Sequence, residues 1–192
     1  MKQGRQVAYI PKSAPGDPAP WITFGGTRED YEKWAPHICG ICCLKMAGDT
    51  WGLTEHLSLL ELSLLCLARG GFKEEPDGTI RGVFHHPLLD LARDLGMSGL
   101  VAGRLTPGDV AAATAAGSYV MLSVDLARLG TGLRGGHLIL VHGHDAASKK
   151  FTLHDCAAAF HGRGKGVILD QEDLERLSNG KGLILRHDRA ES

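Results

Sequence analysis

No stretch of this sequence is apolar enough to cross a bilayer; the longest apolar run, Leu57 to Ala68, is interrupted by Ser58, Glu61 and Ser63. Nor does an apolar segment follow the polar start Met1-Lys2-Gln3-Gly4-Arg5, so no secretory signal is read there. An excess of charge is also missing. Twenty-one Lys and Arg stand against 22 Asp and Glu, giving a formal net charge of -1 and a pI near 6.8. No basic stripe interleaved with aromatics occurs, which argues against nucleic acid as a partner. Glutamine is scarce, at Gln3, Gln6 and Gln171 alone. The five cysteines are odd in number, and three crowd into Cys39, Cys42 and Cys43, a poor disulfide framework suited to a reducing compartment. The expectation is a cytoplasmic protein that uses neither membrane nor nucleic acid.

What is present fits one globular domain. The chain has 192 residues, 43% of them hydrophobic, enough to bury a single core. Residues 1–28 hold Pro11, Pro15, Pro18 and Pro20 and read as an extended N-terminal arm, packing through Trp21, Ile22 and Phe24. A domain over 29–187 and a tail over 188–192 follow. Within the domain, helical signals come first: a stretch from about Asp30 that Pro36 must end, an apolar helix from Cys39 to Gly48, and leucines 57, 60, 64 and 67 after Thr54 as N-cap. Two more helices are expected, from His86 to Leu95 and from Thr106 to about Gly117. The period then changes to extended: Ser118–Val124, His137–His142, Phe151–His154, Val167–Leu169 and Leu183–Leu185 read as strands. Residues 145–150 form a hairpin connection. The pattern predicts an α+β fold, an N-terminal helical half packed on a C-terminal antiparallel β-sheet.

Cys39 stands where the loop Pro36-His37-Ile38 becomes a helix. A thiol there meets the positive end of the backbone dipole and unpaired amides, which favour the thiolate. The same amides suit an oxyanion, and Gly40 would let a substrate carbonyl approach the backbone. His137 follows Gly135-Gly136 and opens a strongly apolar strand, a position at a sheet rim where the ring faces a cleft. Asp155 ends the next strand, and an antiparallel hairpin would bring it beside His137. Thiol, imidazole and carboxylate in reach of one another are the parts of a nucleophile–base–orienter triad.

These residues also resemble a family. Cys39-Gly40-Ile41-Cys42-Cys43-Leu44-Lys45-Met46 is similar to the nucleophile motif of the bacteriocin-processing, double-glycine leader peptidases, which runs Cys-Gly-x-Ala-Cys-Leu-x-Met. Gly136-His137 followed by Leu138 to Asp145 resembles the second motif, a Gly-His, a strand and then Gly-Tyr-Asp. Phe151-Thr152-Leu153-His154-Asp155 resembles the third. The resemblance runs from about Tyr31 to Leu185, with an acidic helix at Asp170–Leu177 before a last strand. It implies a papain-like fold and cofactor-free acyl chemistry: Cys39 attacks a carbonyl, His137 moves the proton, Asp155 holds the ring. A thioester acyl-enzyme would then pass to water, as in a bacterial cysteine peptidase or amide hydrolase, or to an amine, as in a biosynthetic acyltransferase. The substrate would be a peptide or acyl group, free or carrier-protein-bound.

Three departures from the motifs matter. The family's oxyanion Gln precedes the Cys by several residues, where this chain has Lys33 and Trp34, so the donor passes to the Trp34 indole, His37, an arm glutamine or backbone amides alone. Ile38 stands in place of an acidic residue, and Cys156 in place of Pro. With no transporter region after residue 192, a stand-alone relative is expected. Gly136, the Gly130–Gly136 loop, the Gly70–Val83 connection and the arm are the expected cleft walls. Two non-enzymatic readings compete: a peptide-binding module in the same cleft, and a zinc site built from Cys39, Cys42 and Cys43 with His142, His144, His154 and Cys156.

Overall fold

The computed structural model describes residues 6–12, 17–130, 132 and 134–187. Of the expected features, Gln3 and the tail 188–192 lie outside the described residues. The core begins with α3 (Cys39–Trp51), in which Ile41, Cys42, Cys43, Leu44, Met46 and Ala47 are all fully buried. It is buried on nearly every face because helices surround it on one side and a sheet on the other. Helices α1 (Pro20–Phe24), α2 (Arg28–Trp34), α4 (Leu59–Ala68) and α5 (His85–Asp94) complete this half.

Six antiparallel strands form the main sheet in the order β3 (Ser98–Ala102), β8 (Ser178–Arg186), β4 (Tyr119–Asp125), β5 (Gly136–Asp145), β6 (Lys150–His154), β7 (Val167–Asp170). Alternate residues of β4 and β5 serve two cores. Met121, Leu138 and Leu140 pack toward α3, with Leu183 and Leu185 of β8. Leu122, Val124, Ile139 and Val141 pack into a second cluster with Val110 of α6 (Pro107–Ala115) and Leu174 and Leu177 of α7 (Gln171–Leu177). Burial on both faces explains why these strands read as continuous apolar runs instead of alternating ones.

The architecture is the expected α+β, with particular corrections. The arm is not extended throughout, because Pro20 starts the short α1, Phe24 is 1% exposed, and Gly25 closes the turn at φ 91. Ile22, expected to pack, is 71% exposed. Thr54 is no helix cap; its hydroxyl donates to Asp49 Oδ1 at 2.7 Å, and Ser58 caps α4 in a capping box with Glu61. The Gly70–Val83 connection holds a hairpin, β1 (Phe72–Glu74) with β2 (Ile80–Gly82), and the edge strand β3 was not expected. The helical half also does not stand alone, since α6 and α7 cover the far face.

Truncating a side chain shared by α3 and β5 tests this core. Leu140→Ala leaves a cavity at a fully buried site and should cost about 3 kcal/mol. Urea unfolding should show a lower midpoint at an unchanged slope.

Candidate active site

Strand register brings the predicted residues together. Leu140 of β5 pairs with His154 of β6, so the start of one strand lies beside the chain just past the end of the other. His137 and Asp155 occupy those places. The His137 Nε2–H donates to Asp155 Oδ1 at 2.6 Å, with His137 6% and Asp155 0% exposed. The loop after Asp155 folds back on its carboxylate: the Ala157 N–H donates to Oδ1 at 2.9 Å and the Ala159 N–H to Oδ2 at 2.6 Å. The Asp155 backbone is fixed as well, its N–H donating to the Gly164 carbonyl at 2.8 Å and its carbonyl accepting from the Tyr9 hydroxyl at 3.3 Å. A side chain at Gly164 would lie 2.2 Å from both that carbonyl and the Tyr9 oxygen, so only glycine fits.

With Nε2 committed to Asp155, Nδ1 is the nitrogen left for Cys39. Cys39 is the first residue of α3, and the N-cap Ile38 offers no side chain to the first-turn amides. Burial pushes its thiol up, but the His137 ring, the Leu138 amide and the Lys12 charge outweigh that and hold it below its ordinary value. Burial likewise opposes the charged ring, while Asp155 and Cys39 favour it and raise His137 to about 10. The two shifts describe one event, proton transfer from sulfur to imidazole. Cys39 is partly exposed and lines a cleft of about 210 Å³ with Gly82, Val83, His85, Ser123, Gly136 and His137. Gly136 and the end of the Gly70–Val83 connection are thus cleft walls.

Two expected roles change. Trp34 is 2% exposed and packs edge-on against Phe72 at 5.3 Å, so its ring belongs to the helical core instead of the cleft. Gly40 is buried, and a Cβ there would meet Val83 at 2.4 Å and Leu138 at 3.0 Å; its missing side chain lets helix and strand close up, not a substrate enter. The zinc set does not assemble. Among the described residues the one group of three candidate donors is His137, Asp155 and Cys156, whose first two members already bond each other. His154 has both ring nitrogens engaged, Nε2–H donating to the Val7 carbonyl and Nδ1 accepting from Gly166. Sequence reading also missed Lys12 and Tyr9, which reach the site from more than a hundred residues away in the chain. Only the fold joins them to Asp155.

The fold was compared with known proteins. No protein-family model matches the sequence, and no curated protein does. Solved structures do match. A C39-like peptidase from Bacillus anthracis shares 12% identity at a TM-score of 0.59, with 96% of each chain covered. The peptidase domain of Streptococcus ComA, a bifunctional ABC transporter of a quorum-sensing pathway, shares 13% at 0.52, covering 80% of this chain and 93% of that one. The chain has the C39-like, papain-like peptidase fold. That fold accounts for the arrangement above, a helix N-terminus facing the mouth of an antiparallel hairpin.

Cys39 should therefore be alkylated by iodoacetamide at neutral pH far faster than Cys66, whose thiol burial pushes to about 12. The midpoint of Cys39 labelling against pH should lie below the ordinary thiol range and move up in His137→Ala. Peptide mapping by mass spectrometry reads both. Gly164→Ala should slow the labelling by displacing Tyr9 and the Asp155 backbone.

Proposed function

We propose that this chain is a cysteine-nucleophile hydrolase acting on a peptide or related amide or thioester carbonyl. The observation that carries the reading is the 2.6 Å His137–Asp155 bond, buried beside a thiol at the uncapped start of α3. That the two solved structures described above are peptidases supports a peptide as substrate.

The Cys39 thiolate attacks the carbonyl carbon, forming the C–S bond while the carbonyl oxygen takes up negative charge. Amides of the first turn of α3 are the donors at hand for that oxygen, since no glutamine side chain among the described residues lines the cleft. Protonated His137 delivers its Nδ1 proton to the leaving amine as the C–N bond breaks. Water then enters, gives its proton to Nδ1 and displaces the thiolate, freeing the acid. Asp155 keeps the ring oriented through both steps and stabilises its cationic form. An amine in place of water would form a new amide, so the same site supports acyl transfer wherever water is kept out.

Cys39→Ala should abolish the covalent adduct formed with an activated ester, detected by intact mass. Asp155→Asn should lower kcat roughly a hundredfold or more while the adduct still forms slowly. The pH profile of kcat/KM should be bell-shaped. The acid limb reflects loss of the thiolate, and the alkaline limb, near 10, reflects loss of the His137 proton needed by the leaving group. Equal rates for wild type and Cys39→Ala would refute the assignment. Offering amines to the trapped adduct separates hydrolysis from transfer: amide product marks a transferase, free acid alone a hydrolase.

A further inference from the structure

Along the loop that follows Asp155 lies a second and larger cavity of about 680 Å³. Its walls come from three separate parts of the chain: Tyr9 and Lys12 of the arm, Tyr31 of α2, and the loop after β6, which contributes Cys156, Arg163 and Lys165. Three of these side chains are cationic. No carboxylate among the described residues lines the space, although the whole chain is almost neutral. None of the three cations makes an ion pair with a described residue, whereas Lys33, Lys45, Lys73 and six arginines elsewhere do. Asp155, which precedes the cavity-lining Cys156, is fully buried, and its oxygens are taken by His137, Ala157 and Ala159. It cannot serve as their counter-ion.

Cys156 follows Asp155 directly, the Lys12 N–H donates to the Cys156 carbonyl at 2.8 Å, and the Lys12 charge reaches Cys39. The Cys39 cleft and this cavity have no lining residue in common, so Lys12 is the group that links them, lining the cavity while its charge acts on Cys39. Ammonium and guanidinium groups around one space, with no ion-pair partner among the described residues, suit oxygen anions.

We propose that this cavity is a specificity subsite that takes an anionic group of the substrate, a carboxylate or a phosphate, and so directs Cys39 to acyl donors carrying that group. The proposal rests on Cys39 being the nucleophile. A neutral donor of the same shape would leave Lys12, Arg163 and Lys165 unpaired and gain nothing from them. Binding through exposed cations also weakens with salt, so selection for the anion should fade as ionic strength rises.

Two matched 4-nitrophenyl esters test it, one of glutaric acid with its second carboxylate free, the other of glutaric acid monoamide; a third ester ends in a phosphate monoester. For wild type, kcat/KM for the carboxylate or phosphate ester should exceed that for the neutral ester about tenfold or more. The better of the two anions identifies the source. In Arg163→Gln/Lys165→Gln the anionic-to-neutral ratio should fall to about one. In Arg163→Glu/Lys165→Glu an ester ending in an ammonium group should become the preferred one, a reversal that a misfolded protein cannot give. Equal rates for all esters with wild type would overturn the subsite and leave the thiol chemistry intact. If no ester acylates Cys39, the hydrolase reading has failed, and calorimetric titration with glutarate and inorganic phosphate decides the cavity alone. Binding lost in the Gln double variant supports it; no binding by wild type overturns it.

Discussion

The buried carboxylate of Asp155 is the constraint around which the rest is arranged. A charge-bearing group with no exposed surface needs hydrogen-bond donors, and this one has the His137 ring and two loop amides. Each donor has a structural consequence. The ring bond fixes His137 by Nε2 and turns Nδ1 toward the thiol. The amides of Ala157 and Ala159 force the loop to wrap the carboxylate, with Ala158 left at φ 49, a conformation that costs an alanine on the order of 1 kcal/mol. That loop then returns through Gly164, where the absence of a side chain admits Tyr9 and with it the arm.

A second seam joins this sheet end to the nucleophile. Leu138 presents its amide to the Cys39 sulfur and accepts the Cys43 S–H at its carbonyl, 3.4 Å away. One residue of β5 therefore registers the first turn of α3. Gly40 makes the approach possible by leaving room for Val83 and Leu138. Rigid elements meeting at a close-packed seam hold reacting groups better than loops do. The triad has two of its members so placed and the third at a strand end.

Much of this was legible in the sequence, for reasons that can be named. Period and capping residues marked α5 and α6 to within a residue or two, apolar runs marked β4 and β5, because both faces of those strands are covered, and alternation marked β6. Cys39, His137 and Asp155 were readable because each sits at the boundary of a strongly patterned element. What escaped was short, glycine-bearing or non-local. The β1–β2 hairpin has three residues a side, and β3 contains Gly99, packed against the Ile184 carbonyl of β8, so neither carries a period. Thr54 and Ser58 are both plausible caps by residue type; only the Glu61 side chain bonding back to the Ser58 amide separates them. Trp34 stood at the right sequence distance for an oxyanion donor, yet a helix turns its ring into the core. Lys12 and Tyr9 carry no local signal at all, since their role arises from a contact across the whole chain.

The departures from the peptidase motifs at 42 and 156 are, physically, one departure. The resembled motifs place Ala and Pro there, whereas this chain has two cysteines whose thiols interact with each other. Both are almost fully buried, at 0% and 2% exposure, between α3 and the loop that holds Asp155. A larger residue on the helix is matched by an unbranched one on the loop, which keeps the seam filled without straining it. The contact with Cys42 and the burial of the site raise the Cys156 thiol well above its ordinary value, and burial does the same for Cys43. The chain can therefore place Cys43 and Cys156 close to Cys39 without giving it rivals. Reactivity follows the partner, and the imidazole has room for only one.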